Sequence, residues 1–116
     1  MRHRKASRML GRSAEHRKAL IRNLMISLIE HRRIQTTIAK AKTVQPEIES
    51  LLALARVDTP HARQLALSRL DSKDAMRKLF AFAPEQYAGR NGGFTRITKL
   101  GPRLGDGAEI VVLELL

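Results

Sequence analysis

The sequence contains no cysteine and no tryptophan, and aromatic residues make up only 3% of it. Without cysteine the chain can form neither a disulfide framework nor a thiolate metal site, so redox chemistry does not constrain its compartment. The scarcity of large rings means that the core must be built from leucine, isoleucine, valine and alanine. With 116 residues, we expect one domain with an adequate but not generous core.

Patterns that would indicate a membrane span, a metal site or an active site are also missing. The apolar stretch Leu24–Ile29 is far too short to cross a bilayer and too deep in the chain for a signal peptide. The histidines His3, His16, His31 and His61 match no metal-ligand spacing, and no paired carboxylates or nucleotide-binding glycine loop stand out. We therefore expect a cytosolic protein that is not an enzyme and needs no metal, cofactor, membrane or small-molecule substrate.

Positive charge dominates what is present. The net charge is +11, and 15 of the 22 cations are arginine, whose planar guanidinium suits bidentate phosphate contacts. The first 22 residues hold eight cations against one acid, Glu15. Residues 1–12 are too basic and too poor in apolar residues to bury a core, so we interpret them as an arm that orders against a polyanion. This composition favours nucleic acid as the partner.

Residues 13–116 are predicted to form one globular domain with alternating helical and extended segments. Ser13, Thr59 and Ser72 are predicted helix caps, and Pro46 and Pro84 are predicted to interrupt helices. The predicted elements are a helix Ala14–His31, a strand Ile34–Ile38, a helix Ala39–Val57 with a kink or restart near Pro46, a helix opening at Thr59-Pro60, a helix from Asp71-Ser72 that stops before Pro84, and a hairpin of Phe94–Leu100 with Ala108–Leu116.

The last strand is predicted to lie at the centre of a three-stranded sheet. Val111, Leu113 and Leu115 form one apolar face, while Ile110 and Val112 make the other face partly apolar. A strand with apolar residues on both faces needs neighbours on both sides, and Ile34–Ile38 is the available third strand.

A second group of cations lies in and before the predicted hairpin, at Arg90, Arg96, Lys99 and Arg103. Basic surfaces on both arm and hairpin fit a protein held among several RNA segments better than one reading a single groove. A helix-turn-helix reader built from the two helices between Thr59 and Ala83 stays open, although Asp74 would face phosphates there. A membrane-surface helix Lys18–Ile29 also stays open, although it lacks tryptophan and a clean polar face.

Three blocks of residues form a specific combination: Met1-Arg2-His3-Arg4-Lys5 with Gly11-Arg12, His16-Arg17 and Arg22-Asn23; Thr36-Thr37 with Lys40-Ala41-Lys42; and Gly92-Gly93-Phe94-Thr95-Arg96-Ile97 with Gly105-Asp106-Gly107-Ala108. In this order they resemble one known family, that of the bacterial large-subunit ribosomal protein numbered seventeen. The resemblance implies a structural ribosomal component that binds large-subunit RNA near the exit of the peptide tunnel, beside other ribosomal proteins. It also implies an α+β fold: a two-layer α/β domain with about four helices on one face of a small three-stranded mixed sheet, and an extended basic N-terminal arm.

We therefore predict a structural constituent of the large ribosomal subunit that binds ribosomal RNA, works in the cytoplasm and supports translation. The alternative is a DNA-binding, nucleoid-type basic protein. The predicted RNA-binding residues are Arg2, His3, Arg4, Lys5, Arg8, Arg12, His16, Arg17, Lys18, Arg22, Lys40, Lys42, Arg90, Arg96, Lys99 and Arg103.

Overall fold

The computed structural model describes residues 13–116, and its first element is helix α1, Ala14–His31, with the bounds that the sequence predicted. The Ser13 hydroxyl accepts a hydrogen bond from the backbone N–H of His16 at 3.2 Å, which satisfies one of the free donors of the first turn. The helix ends where Arg32 adopts a left-handed conformation with φ of 67°. The second half of α1 is its buried half, through Met25, Leu28 and Ile29.

Helix α2, Ile38–Leu54, passes through Pro46 without interruption, so the predicted restart there is wrong, while a kink stays a prediction. Pro46 supplies no N–H to the helix, but Val44 and Ile48 on either side of it are fully buried and hold both halves against the core. The preceding strand β1 is Arg33–Thr37, one residue earlier than predicted. The reason is that Thr37 caps α2, accepting a hydrogen bond from the backbone N–H of Lys40.

Helices α3, Pro60–Leu70, and α4, Lys73–Tyr87, begin at the predicted caps. The hydroxyls of Thr59 and Ser72 accept hydrogen bonds from the backbone N–H groups three residues later, at 3.0 Å and 3.1 Å. The prediction that α4 stops before Pro84 is wrong. Its last turn is held by Tyr87, which is fully buried and packs edge-to-face on Phe94 with ring centroids 5.1 Å apart.

The sheet is completed by strands β2, Thr95–Pro102, and β3, Glu109–Leu115, and its strand order is β1-β3-β2. The hairpin and the central position of β3 are confirmed. Both pairings are antiparallel, however, so the sheet is not mixed. Strand β2 also runs further than predicted, because an irregularity between Lys99 and Gly101 allows pairing to continue to Pro102.

The two faces of β3 meet different surroundings. Val111, Leu113 and Leu115 lie in the core with the buried residues of the helices, which confirms an α+β fold with a helical layer on the sheet. Val112 points to the opposite face, where its cross-strand partners are Gln35 and Thr98. Within residues 13–116 no helix is both long and apolar enough to cross a membrane.

Candidate nucleic-acid interface

The arm residues predicted to bind RNA lie outside the described part of the chain. They are Arg2, His3, Arg4, Lys5, Arg8 and Arg12. The structure does place the remaining predicted residues, and it distributes them over three regions: the first half of α1, the start of α2, and the hairpin with the loop before it.

The first half of α1 forms one wall of a cleft of about 500 Å³. Glu47 of α2 lies on the opposite side, and the last turn of α3 with the α3–α4 connection closes one end. The cleft brings together the predicted residues Arg17, Lys18 and Arg22. Because these cations lie within little more than one turn of α1, their side chains enter the same cleft. His16, one residue earlier, is exposed at the start of the helix.

Arg69 joins this group although the sequence analysis did not select it. It lies in the last turn of α3 and lines the same cleft. Its guanidinium donates a hydrogen bond from Nη1 to the Ser50 hydroxyl of α2 at 2.9 Å, which holds the side chain in place. A cation in the last turn also complements the negative end of the helix dipole. The sequence carries no signal that α3 docks its C-terminal end beside α1, so Arg69 could not be found from chain order.

The cleft has an excess of positive charge. It is lined by four cations and only two acids, Glu47 and Asp71. Asp71 pairs with Arg22 at 3.4 Å, and the other three cations still outnumber Glu47. Lys18 makes no ion pair with any residue in 13–116. Ile21 and Met25 add apolar surface, so the cleft can hold a charged backbone together with its less polar sugars.

Lys40 and Lys42 lie in the first turns of α2 and make no ion pair with other described residues. Lys42 is exposed and Lys40 is half-buried. Positions seven residues apart lie on the same side of a helix, about 10 Å from each other along its axis. Lys40 is therefore on the side of α2 that carries Glu47, and it extends the positive surface beyond the cleft.

The cations of the hairpin by themselves suggest a positively charged surface. Strand β3 and the turn, however, supply an acid for each of these cations. Arg96 pairs with Glu114 at 3.1 Å and Lys99 with Glu109 at 3.7 Å. The remaining cation pairs within the turn, where Arg103 contacts the carboxylate of Asp106 at 2.6 Å. The side-chain charges of residues 95–116 consequently cancel.

Arg90 contacts other residues of the protein through both its side chain and its backbone. Its guanidinium donates to the backbone oxygen of Gly93 at 3.3 Å and lies over the Tyr87 ring, 5.6 Å from the centroid. Its own backbone oxygen accepts a hydrogen bond from Arg56 at 2.7 Å. Burial raises the pKa of the Tyr87 hydroxyl, so this residue stays neutral and packs as part of the core. Arg90 and Arg56 together hold the loop between α4 and β2.

Among residues 13–116, no three histidine or acidic side chains come together in a way that could hold a metal ion. The arrangement of cations is instead suited to a polyanion. The cleft and the start of α2 are two places where positive charge exceeds the local acids, whereas the hairpin is neutral as a whole.

Comparisons with known proteins identify a matching family and several similar chains. The family model described as "Ribosomal protein L17" matches residues 20–116. The chain is 70% identical to the large ribosomal subunit protein bL17 of Chloroflexus aurantiacus and 71% identical to that of Chloroflexus aggregans, over the full length of both chains in each case. It is 50% identical to the protein of the same name from Thermomicrobium roseum, over 116 residues that cover 99% of that protein.

Proposed function

This chain belongs to the ribosomal protein L17 family and is a structural component of the large ribosomal subunit. We propose that it binds large-subunit ribosomal RNA near the exit of the peptide tunnel. The family membership confirms the identification from sequence motifs, the non-enzymatic role and the location in the cytoplasmic ribosome. The proposal covers three points: that the chain binds ribosomal RNA, that it does so at the tunnel exit, and which residues make the contacts.

The observation that carries the proposal is the basic cleft between α1, α2 and the end of α3. Arg17, Lys18, Arg22 and Arg69 surround it, and its acids are too few to neutralise them. Guanidinium groups bind phosphate oxygens bidentately and ammonium groups bind them as point charges, so the two residue types together suit an RNA backbone. Release of the counterions that the phosphates hold supplies the free energy.

The arm and the cleft are parts of one RNA-binding element in this proposal. Residues 1–12 are joined directly to the start of α1, where the cleft cations lie. The cations of residues 1–12 add phosphate contacts, and the α/β body fixes their position on the RNA. Lys40 continues the same positive surface along α2, whereas Lys42, two residues later, is exposed on another side of the helix. Arg96, Lys99 and Arg103 contribute less in this arrangement, since each already has an acidic partner.

The helix pair α3–α4 does not support the DNA-binding alternative. Asp74 lies in the first turn of α4, where a recognition helix would approach phosphates. It pairs there with Lys78 at 3.1 Å, and Lys78 also contacts Glu30 of α1 at 3.1 Å. These contacts join α4 to α1 through Lys78 and Glu30.

Charge reversal in the full chain tests the cleft. Lys18→Glu and Arg69→Glu should each lower the affinity for isolated large-subunit RNA by about tenfold, the effect of losing one charge-assisted hydrogen bond. Arg77→Glu is the matched control, because Arg77 is exposed on α4 outside the cleft and the net charge changes equally. Its affinity should stay within about twofold of wild type. If Arg77→Glu weakened binding as much as the cleft variants, general charge rather than the cleft would be responsible.

The position at the tunnel exit needs a second measurement. Since the chain has no cysteine, Lys18→Cys creates a unique attachment point for an iron chelate that produces hydroxyl radicals. In large subunits assembled with this labelled chain, cleavage should occur in the RNA around the tunnel exit. Cleavage confined to RNA far from the exit would be consistent with RNA binding but would reject the proposed position at the tunnel exit.

A further inference from the structure

The tip of the β2–β3 hairpin, residues 100–107, exposes two leucines to solvent. The side chain of Leu104 is 96% exposed and that of Leu100 is 55% exposed. A single exposed leucine is ordinary on a protein surface, but two of them within five residues, at the end of a projecting hairpin, form an apolar patch. Neither contributes to the core of this domain.

The turn that presents Leu104 is held by a set of hydrogen bonds. The backbone N–H of Arg103 donates to Ala108 at 2.7 Å, and that of Gly107 donates to Arg103 at 3.0 Å. The carboxylate of Asp106 accepts two hydrogen bonds from the Arg103 guanidinium and one from the Ala108 N–H. These contacts lower the pKa of Asp106 to about 2, so the pairing is present at neutral pH.

This geometry fixes the direction in which Leu104 points. Gly105 and Gly107 have φ of 98° and 73°, values that residues with a side chain rarely adopt, and they allow the chain to turn immediately after Leu104. A preorganised turn loses little conformational entropy when it binds, which is the property of an anchor residue in an interface.

A shallow groove of about 370 Å³ lies beside the tip. Leu100, Pro102 and Ile110 provide apolar surface to it, and Gln35, Thr36 and Arg103 provide polar groups. Protein-binding surfaces likewise combine apolar area with polar groups. The groove could receive a side chain from a partner while Leu104 enters the partner's own pocket.

The charges of the hairpin favour protein over RNA as that partner. Lys99 and Arg103 are paired within the hairpin, and no aromatic residue in 95–116 is available to stack on a base. A phosphate backbone would gain little at such a neutral surface and would have to be desolvated against leucine. An apolar surface of another protein has no such cost.

We propose that the hairpin tip, with Leu104 as its anchor, docks into an apolar pocket of a neighbouring protein of the large subunit. The inference rests on the chain's place in the large subunit and goes beyond RNA binding. It reassigns Lys99 and Arg103 from RNA contact to the support of a protein contact. Arg96, at the opposite end of β2, is not part of the tip.

Site-specific photo-crosslinking in purified large subunits tests the proposal. Benzoylphenylalanine at position 104 of the full chain should crosslink to one large-subunit protein, giving a product that resists ribonuclease and is identified by mass spectrometry. Position 57 is the matched control, because Val57 is 64% exposed and lies in the connection between α2 and α3. It should not give the same product.

A pair of substitutions supplies a second readout. Leu104→Ser should be stripped from large subunits at a lower lithium chloride concentration than Val57→Ser, while the affinity of both free chains for large-subunit RNA stays within about twofold of wild type. A crosslink from position 104 to RNA, or none in subunits that contain the chain, would overturn the proposal while leaving the RNA-binding function intact. A chain that bound no large-subunit RNA would instead overturn the proposed function.

Discussion

At the scale of single residues, the direction of a side chain decides its role more than its type does. Val112 and Leu113 are adjacent apolar residues of β3, yet Leu113 is fully buried against the helices, whereas Val112 lies on the opposite face of the sheet. The same contrast applies to cations. Arg69 lines the basic cleft, while Arg103 is paired within a turn.

The contrast in β3 yields a prediction for stability. Leu113→Asp should prevent folding, because an unpaired charge in the core costs several kcal/mol, comparable with the whole stability of a domain of this size. Val112→Asp should still fold, with a lower melting temperature, because Val112 lies outside the core cluster and its cross-strand neighbours Gln35 and Thr98 are polar and exposed. Circular dichroism and thermal melts distinguish the two. A folded Leu113→Asp with an unfolded Val112→Asp would mean that the faces of β3 are inverted.

At the scale of elements, packing overrides the local signals that proline provides. Pro46 and Pro84 each remove a backbone donor, but α2 and α4 continue through both positions. The buried residues that follow them, Ile48 in α2 and Tyr87 in α4, hold each helix to the core. The helix caps, in contrast, form where the local sequence predicts them. Ser13 and Thr59 act through hydrogen bonds within their own turn, so their positions could be predicted from sequence.

The division between arm and body is also a property of elements, and it remains a prediction. Deleting residues 2–12 should leave the melting temperature nearly unchanged, because α1 has its own cap at Ser13 and the core residues of the described chain lie beyond it. The same deletion should lower the affinity for large-subunit RNA by at least about tenfold, since it removes six of the predicted contacts. Calorimetry and filter binding on the two chains provide the measurements. A large fall in melting temperature would show that the arm belongs to the core.

At the scale of the whole molecule, the excess of positive charge is unevenly distributed. It is concentrated in the first 22 residues and in the cleft lined by Arg17, Lys18, Arg22 and Arg69, while the hairpin is neutral and apolar at its tip. Such a distribution suits a protein that binds RNA with one end and a neighbouring protein with the other. The two surfaces differ in the physical force that drives binding, so they should respond differently to salt.

Salt dependence tests this separation. If about four cations of the arm and cleft each neutralise one phosphate, a plot of log binding constant against log salt should have a slope of roughly −3. Lys18→Glu should make the slope shallower, whereas Leu104→Ser should leave it unchanged because it removes no charge. Titrations of labelled large-subunit RNA at several potassium chloride concentrations give the slope. A wild-type slope near zero would reject the electrostatic account of RNA binding.

The sequence by itself determined the features that depend on near neighbours. The caps at Ser13 and Thr59, the central strand with Val111 and Leu113 on one face, and the basic first segment all follow from spacing and composition. Local hydrogen bonds and the alternation of strand side chains act over a few residues, so a linear pattern is enough to reveal them.

Only the tertiary structure decided which distant residues meet. It placed Arg69 beside α1, paired Arg96 with Glu114 across two strands, and held the last turn of α4 through the contact of Tyr87 with Phe94. These contacts depend on how whole helices and strands dock, and that docking is set by the burial of apolar surface summed over the core. Many sequences with the same local pattern could dock differently, so the cleft and the neutral hairpin could not be predicted from the chain alone.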